Sequence, residues 1–186
     1  MAHLGNGVEY GLHCLLWLAR PQAGFASSRD LADLQGVSPS FLAKIFPKLE
    51  KAGVVTASDG VHGGYRLARP AGEISVLDVV DAIEGPKPLF DCQEVRGKCA
   101  VFGSAKPDWS THGVCAVHSV MIRAEQAMRA ELAKTSLAKL AETVAGKAPA
   151  GFAEQISTWL ADRLESRAKT RSRANRTDSG RHTDAS

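Results

Sequence analysis

Between Leu89 and His118 the chain reads LFDCQEVRGKCAVFGSAKPDWSTHGVCAVH, a segment without helical or strand period that holds three of the four cysteines and two of the six histidines. Thiolates are soft ligands for zinc and for iron–sulfur clusters, and intervals of six and fifteen residues separating Cys92, Cys99 and Cys115 are not those of a zinc ribbon. Spacing alone leaves the metal open. His118 follows Cys115 closely enough for both to share the first turn of a helix. Glu9 is an acid on an otherwise apolar helix and so needs a partner. His112 reads as a loop polar residue. Cys14, in LHCLLWLA, reads as a small packing side chain rather than a ligand.

The elements that must position these groups follow from periodicity and punctuation. Val8 to Ala19 is apolar nearly all round, as a buried helix is. Ser27 with Asp30 three residues on resembles a capping box, and Leu31, Leu34 and Val37 supply an inner face. Gly36 turns the chain, and Ser38-Pro39 opens a second helix with Phe41, Leu42, Ile45 and Leu49 at 3.6-residue spacing. Two helices across a tight glycine turn, the second carrying Lys44 and Lys48, form a helix-turn-helix candidate. Pro47 inside that helix predicts a kink or early unwinding between Ala43 and Pro47. Val54–Thr56 and Tyr65–Leu67 read as strands around SDGVHGG, a hairpin in the position of a wing. Ser75 to Asp78 opens another capped helix that ends at Gly85-Pro86, with Leu77, Val80 and Ile83 inward.

From Cys115 to about Lys134 a longer helix carries Val117, Met121, Ala124, Met128 and Leu132 as an apolar stripe, read as a surface for a second subunit. Leu137–Val144 and Phe152–Leu164 are two further amphipathic helices. The fold class expected is mostly α with a small β wing: a winged helix-turn-helix with a long C-terminal dimerisation helix. Residues 1–86 form the DNA-binding domain, 87–114 the cysteine loop, 115–166 the dimerisation and C-terminal helices, and 167–186 a disordered basic tail.

Charge is divided unevenly. The net charge is +3, but residues 167–186 carry a surplus of +4 and the remainder is at −1. A tail so basic and free of large apolar residues is expected to be disordered, either as a solubilising end or as a non-specific nucleic-acid arm. No apolar run is long enough for a membrane span and no secretory leader is evident, so a cytoplasmic protein is expected. Four cysteines in such a chain favour metal or redox chemistry over a disulfide framework. A Gly-rich phosphate loop, a CxxC pair and an acid/base constellation are all absent from the sequence, which argues against an enzyme.

Taken in order, GVEYGLHCLLWLA, VSPSFLAKIFPKLEKAGVV, HGGYRLARP, ISVLDVVDAIEGP and a Cys-rich loop before a long helix resemble the Rrf-two family of winged-helix iron–sulfur transcription regulators, over roughly residues 4–143. Within that family the RsrR-like branch looks nearest. The resemblance implies a homodimer that binds a double-stranded DNA operator and senses redox state, nitric oxide or iron–sulfur status. It implies a 2Fe-2S or 4Fe-4S cluster on Cys92, Cys99 and Cys115, with Glu9 from the partner subunit or His118 completing the set. Gln35 stands where RsrR-like members place a further histidine ligand. Ser38, Ser40, Phe41, Lys44 and Lys48 are expected at the major groove, and His62, Gly63, Gly64, Tyr65 and Arg66 on the wing at the minor groove, the glycines allowing close backbone approach. A structural zinc or a metal-free thiol switch on the same scaffold is the alternative.

Overall fold

The computed structural model describes residues 4–20, 24–60 and 63–179, with side chains as far as Thr170. Eight helices and one hairpin follow in the order α1 (Asn6–Leu18), α2 (Ser28–Gln35), α3 (Pro39–Lys51), β1 (Val55–Ser58), β2 (Gly64–Leu67), α4 (Val76–Glu84), α5 (Asp108–Thr111), α6 (Ala116–Ala133), α7 (Leu137–Ala145) and α8 (Phe152–Ser179). Helix α1 is the centre of the core, burying Val8, Cys14, Leu15, Leu16 and Leu18. At Gly11 a Cβ would stand 2.6 Å from the Ile83 side chain, so a residue without a side chain lets α4 pack directly on the α1 backbone.

The caps anticipated at Ser27 and Ser75 are formed, whereas Ser38, also expected to cap, makes no side-chain bond to its helix. Ser27 Oγ accepts from the Asp30 N–H at 3.0 Å and donates to its carboxylate at 2.6 Å, starting α2. Ser75 and Asp78 make a reciprocal capping box at α4. Gly36 ends α2 in the left-handed region at φ 65, and the Val37 N–H returns to the Ala32 carbonyl at 2.9 Å, which sets the turn into α3. Inside α4 the buried residues are Val79, Val80 and Ile83, with Leu77 half-buried, so the inner face is rotated slightly from the one the spacing suggested.

Two expectations are corrected. Helix α3 does not unwind at Pro47: its backbone is helical from Pro39 to Lys51. Leu42, Ile45, Phe46 and Leu49 are buried on both sides of the proline, and that packing outweighs one lost backbone hydrogen bond. The basic tail, assigned to disorder from Arg167, is instead helical through Ser179 as the end of α8. Ion pairs of Arg163 and Arg167 with α2, described below, hold the helix where composition alone predicts no order. Residues 180–186 lie outside the described residues.

The β1–β2 pair is antiparallel, in register Val55 with Leu67 and Ser58 with Gly64. Ala26 joins it as an isolated bridge, exchanging hydrogen bonds with Tyr65 at 3.0 and 2.8 Å. Beyond α4, a second bridge between Ser75 and Ser136 ties the start of α7 to the start of α4. Among the described residues no helix is long and apolar enough to cross a membrane.

Candidate nucleic-acid interface and cysteine loop

The N-terminus of α3 presents Ser38, Ser40 and Lys44 to solvent, and the two hydroxyls lie 2.9 Å apart. Neither serine caps its own helix. Hydroxyls and free N–H groups at a helix start are good phosphate donors, and Lys44 adds charge one turn further on. Phe41 is 39% exposed, with its ring edge-on to Tyr10 of α1 at 5.5 Å, so it is a packing residue as much as a surface one.

Other expected contacts are directed elsewhere. Lys48 Nζ donates to the Ile83 carbonyl at 2.8 Å, bracing α3 against the end of α4 rather than reaching outward. A cation at a helix C-terminus is favourable with the carbonyl ends of that helix. Tyr65 is half-buried, its ring 4.7 Å from that of Phe46. Gly63 and Gly64 serve the hairpin itself: a Cβ at Gly63 would meet the Ser58 carbonyl oxygen at 2.2 Å, and one at Gly64 the Ala26 carbonyl at 2.6 Å. Arg66 is exposed on β2, with its guanidinium 4.9 Å over the Phe25 ring. His62 lies outside the described residues.

The cysteine loop is held at both ends. Its first residues are fixed by the Leu89 N–H, which donates to Glu125 of α6 at 3.1 Å. Its last residue, Cys115, is the N-cap position of α6. Between them Arg96 is the organising group. Its guanidinium donates to the Thr111, His112 and Gly113 carbonyls at 2.9, 3.3 and 2.6 Å and pairs with Glu94 at 3.0 Å. Glu94 adopts φ 48, the one positive φ on a described residue other than glycine, and that turn brings its carboxylate to accept from Cys92 Sγ at 3.5 Å. Arg96 and then Cys92 hold the Glu94 carboxyl below the usual range.

The surroundings of Cys115 hold its thiol below the ordinary value. The His118 N–H at the start of α6 stabilises the thiolate first, and the Val117 N–H and Arg96 add to it, against a small desolvation and the Glu94 charge. His118 is half-buried and its ring lies 6.0 Å from Phe90. Arg96 thus links Glu94, which accepts from Cys92, to the carbonyls just before Cys115 at the start of α6. Cys99 sits apart, exposed between two short 3₁₀ turns. Glu9 is exposed on α1, where it lines a groove of about 480 Å³ with Leu12, His13 and Leu140 and no loop residue. Among the described residues no three His, Cys, Asp or Glu stand close enough to enclose a metal ion. The donor chemistry nonetheless suits a thiophilic centre: three cysteines share one loop, and the surroundings of Cys115 favour its thiolate. Cys14 is the opposite case, fully buried, pushed up to about 12 by desolvation and directed at the Leu31 carbonyl.

A family profile described as Rrf2, iron-dependent transcriptional regulator, matches residues 4–143. The chain belongs to the Rrf2 family. Rrf2 proteins are DNA-binding transcriptional regulators and not enzymes. Solved structures share the fold. T. potens IscR is 25% identical, with a TM-score of 0.57 over 77% of this chain and 88% of its own. Staphylococcus aureus CymR is 28% identical, with a TM-score of 0.55 over 74% of this chain and 97% of its own. CymR (YrzC), the global cysteine regulator of B. subtilis, is 24% identical with a TM-score of 0.59 over 77% of this chain and 98% of its own, a likeness of fold alone.

Proposed function

We propose that this Rrf2 regulator acts as a homodimer whose operator affinity is set by an iron–sulfur cluster, 2Fe-2S or 4Fe-4S, so that it responds to redox state, nitric oxide or cluster status, most simply as a repressor. Cys92, Cys99 and Cys115 supply the thiolates; His118 or the Glu9 of a second copy supplies the fourth ligand. The observation that supports the reading is the loop itself, with Cys92 bonded to Glu94, Arg96 joining Glu94 to the last carbonyls of the loop, and Cys115 at the N-cap of α6. A bound cluster supplies a centre that changes charge by one electron and is lost on oxidation.

The chain's own residues connect that spot to the recognition helix. Glu125 of α6 holds the Leu89 N–H, and Arg129 of the same helix pairs with both oxygens of Asp81 on α4 at 2.8 and 2.7 Å. Lys48 then ties the end of α4 to α3. A shift of the loop or of the α6 N-terminus therefore bears on α3 through two links. In a dimer it would change the separation of two recognition helices, and half-sites one DNA turn apart, about 34 Å, tolerate little change. Support for the dimer comes from α6, which buries no residue and leaves Val117 58% and Val120 52% exposed, while Leu132 reaches the core. Val117→Asp with Val120→Asp should convert the dimer to monomer in sedimentation equilibrium.

Gel-shift titrations with duplexes selected from a random pool by the protein should give different affinities for reduced, oxidised and cluster-free forms; equal affinities would contradict the switch. A metal-free thiol switch is favoured by one observation, the lowered Cys115 thiol in a loop that also carries Cys92 hydrogen-bonded to Glu94. In that reading a Cys92–Cys115 disulfide, detected by mass after oxidation of metal-free protein, alters DNA affinity and iron does not.

A further inference from the structure

Helix α8 is joined to the first helix of the helix-turn-helix by charge. Asp30, only 4% exposed, faces Arg163 at 3.6 Å and Arg167 at 3.1 Å, and Arg163 also pairs with Asp33. Apolar contacts fix the same helix: Phe152 lies edge-on to Trp17 at 6.1 Å, Ile156 is buried, Leu160 packs against the core, and Arg163 stacks on Trp159 at 4.9 Å. The order of the pairs gives direction. Arg163 reaches both acids and Arg167 only Asp30, so α8 runs antiparallel to α2, towards the end that begins beside the wing. Leu164 and Ala161 line a cavity with Phe25 and Ala26, and these two carry Arg66 and the bridge to Tyr65.

Past Arg167 the helix continues to Ser179. Its sequence there, AKTRSRANRTDS, holds Lys169, Arg171, Arg173 and Arg176 against Asp178 alone. At 1.5 Å per residue this stretch is about 18 Å long, and duplex DNA presents one phosphate charge per about 1.7 Å of its axis. The end of α2 towards which it runs carries exposed Arg29 in its first turn, and Arg66 is exposed on the wing.

We infer that residues 168–179 are an accessory DNA-backbone contact, a basic helix that the Arg163–Arg167 latch on Asp30 and Asp33 holds beside the winged domain so that it grips phosphates flanking the operator. The inference rests on the DNA-binding reading of the family. A membrane surface is the poorer partner, because the stretch has no large apolar residue to insert below the headgroups.

The test uses the full chain as isolated, with or without its cluster, and a random-sequence 40-bp duplex as probe, affinity being measured across a salt series. Lys169→Gln, Arg171→Gln, Arg173→Gln and Arg176→Gln together lie past the Arg163–Arg167 latch and should leave thermal melting unchanged. The slope of log affinity against log salt should flatten by about 0.9 for each phosphate no longer neutralised, about 2 to 4 per protomer in all. The preference for selected over random duplex should stay within about twofold. Arg163→Gln with Arg167→Gln, which unfastens the helix without removing the basic stretch, should flatten the slope in the same direction. An unchanged slope in the first variant, with the parent binding well, overturns the inference and leaves the family reading intact. No binding of any duplex by the parent overturns both. Loss of binding to phosphatidylserine vesicles in place of any change on DNA assigns the stretch to a membrane and overturns the inference as well.

Discussion

Replacing Gly64 by alanine separates a folding role for the wing glycines from a DNA-contact role. At this position φ is 151, a region that side chains avoid, and the added Cβ would meet the Ala26 carbonyl carbon and oxygen at 2.6 Å and the Ser27 nitrogen at 2.9 Å. All three are backbone atoms, so no side chain can swing aside. Relief requires parting β2 from Ala26, which forfeits the two Ala26–Tyr65 hydrogen bonds at 3.0 and 2.8 Å. Those bonds contribute about 2 kcal/mol together, and the strained backbone adds about 1–3 kcal/mol. The expected loss is thus about 3–5 kcal/mol, a large share of a typical stability of about 5–15 kcal/mol. In urea unfolding followed by circular dichroism the midpoint should fall with unchanged slope, and Tm should drop by about 6–20 °C. A destabilisation below about 1 kcal/mol combined with a tenfold loss of operator affinity would refute the argument, since it would return Gly64 to the DNA surface.

Other consequences are equally specific. Asp78 is held below its ordinary value of 3.8: burial works against this, but the Ser75 N–H and hydroxyl and then Arg69 outweigh it. Its contribution is therefore full above that ordinary value and is lost as pH falls through the lowered one. Asp78→Asn should be less stable than the parent by about 1 kcal/mol near neutrality, with the difference closing in acid. In native metal-free protein, iodoacetamide should label Cys92, Cys99 and Cys115 and spare Cys14, which reacts only after unfolding; labelling of Cys14 at a similar rate would contradict its burial. Lys44→Ala should weaken all DNA binding and flatten the salt slope by about 1, whereas Lys48→Ala should leave the slope alone and cost about 0.5–1 kcal/mol of stability.

Local chemistry was legible in the sequence where it acts over a few residues. Ser27 with Asp30, Gly36, and Ser75 with Asp78 announce caps and a turn because their partners lie within one helical turn, and the hairpin strands follow from Val54–Thr56 and Tyr65–Leu67. What sequence spacing could not convey is the destination of a side chain across space. Lys48 looks like a groove-facing lysine until the Ile83 carbonyl, 35 residues away, is placed beside it. Pro47 looks like a break until the burial of Phe46 and Leu49 is known. Arg167 looks like the onset of a disordered tail, whereas its partner Asp30 lies far earlier in the chain, on α2. In the loop the cysteines stand out by type, yet the residues that organise them, Glu94 and Arg96, went unmarked; the signal available was a lone Arg between Cys92 and Cys99 in a segment otherwise short of donors for its carbonyls.

The most direct measurement is the iron, acid-labile sulfide and zinc content of the protein purified without oxygen, with its visible absorption and its affinity for a selected duplex recorded on the same sample before and after oxidation. Coloured protein with iron and sulfide in balance, losing both in Cys92→Ser and Cys115→Ser and changing operator affinity on oxidation, is the predicted result. Colourless protein with no iron or sulfide, whose operator affinity is the same before and after oxidation, would contradict it.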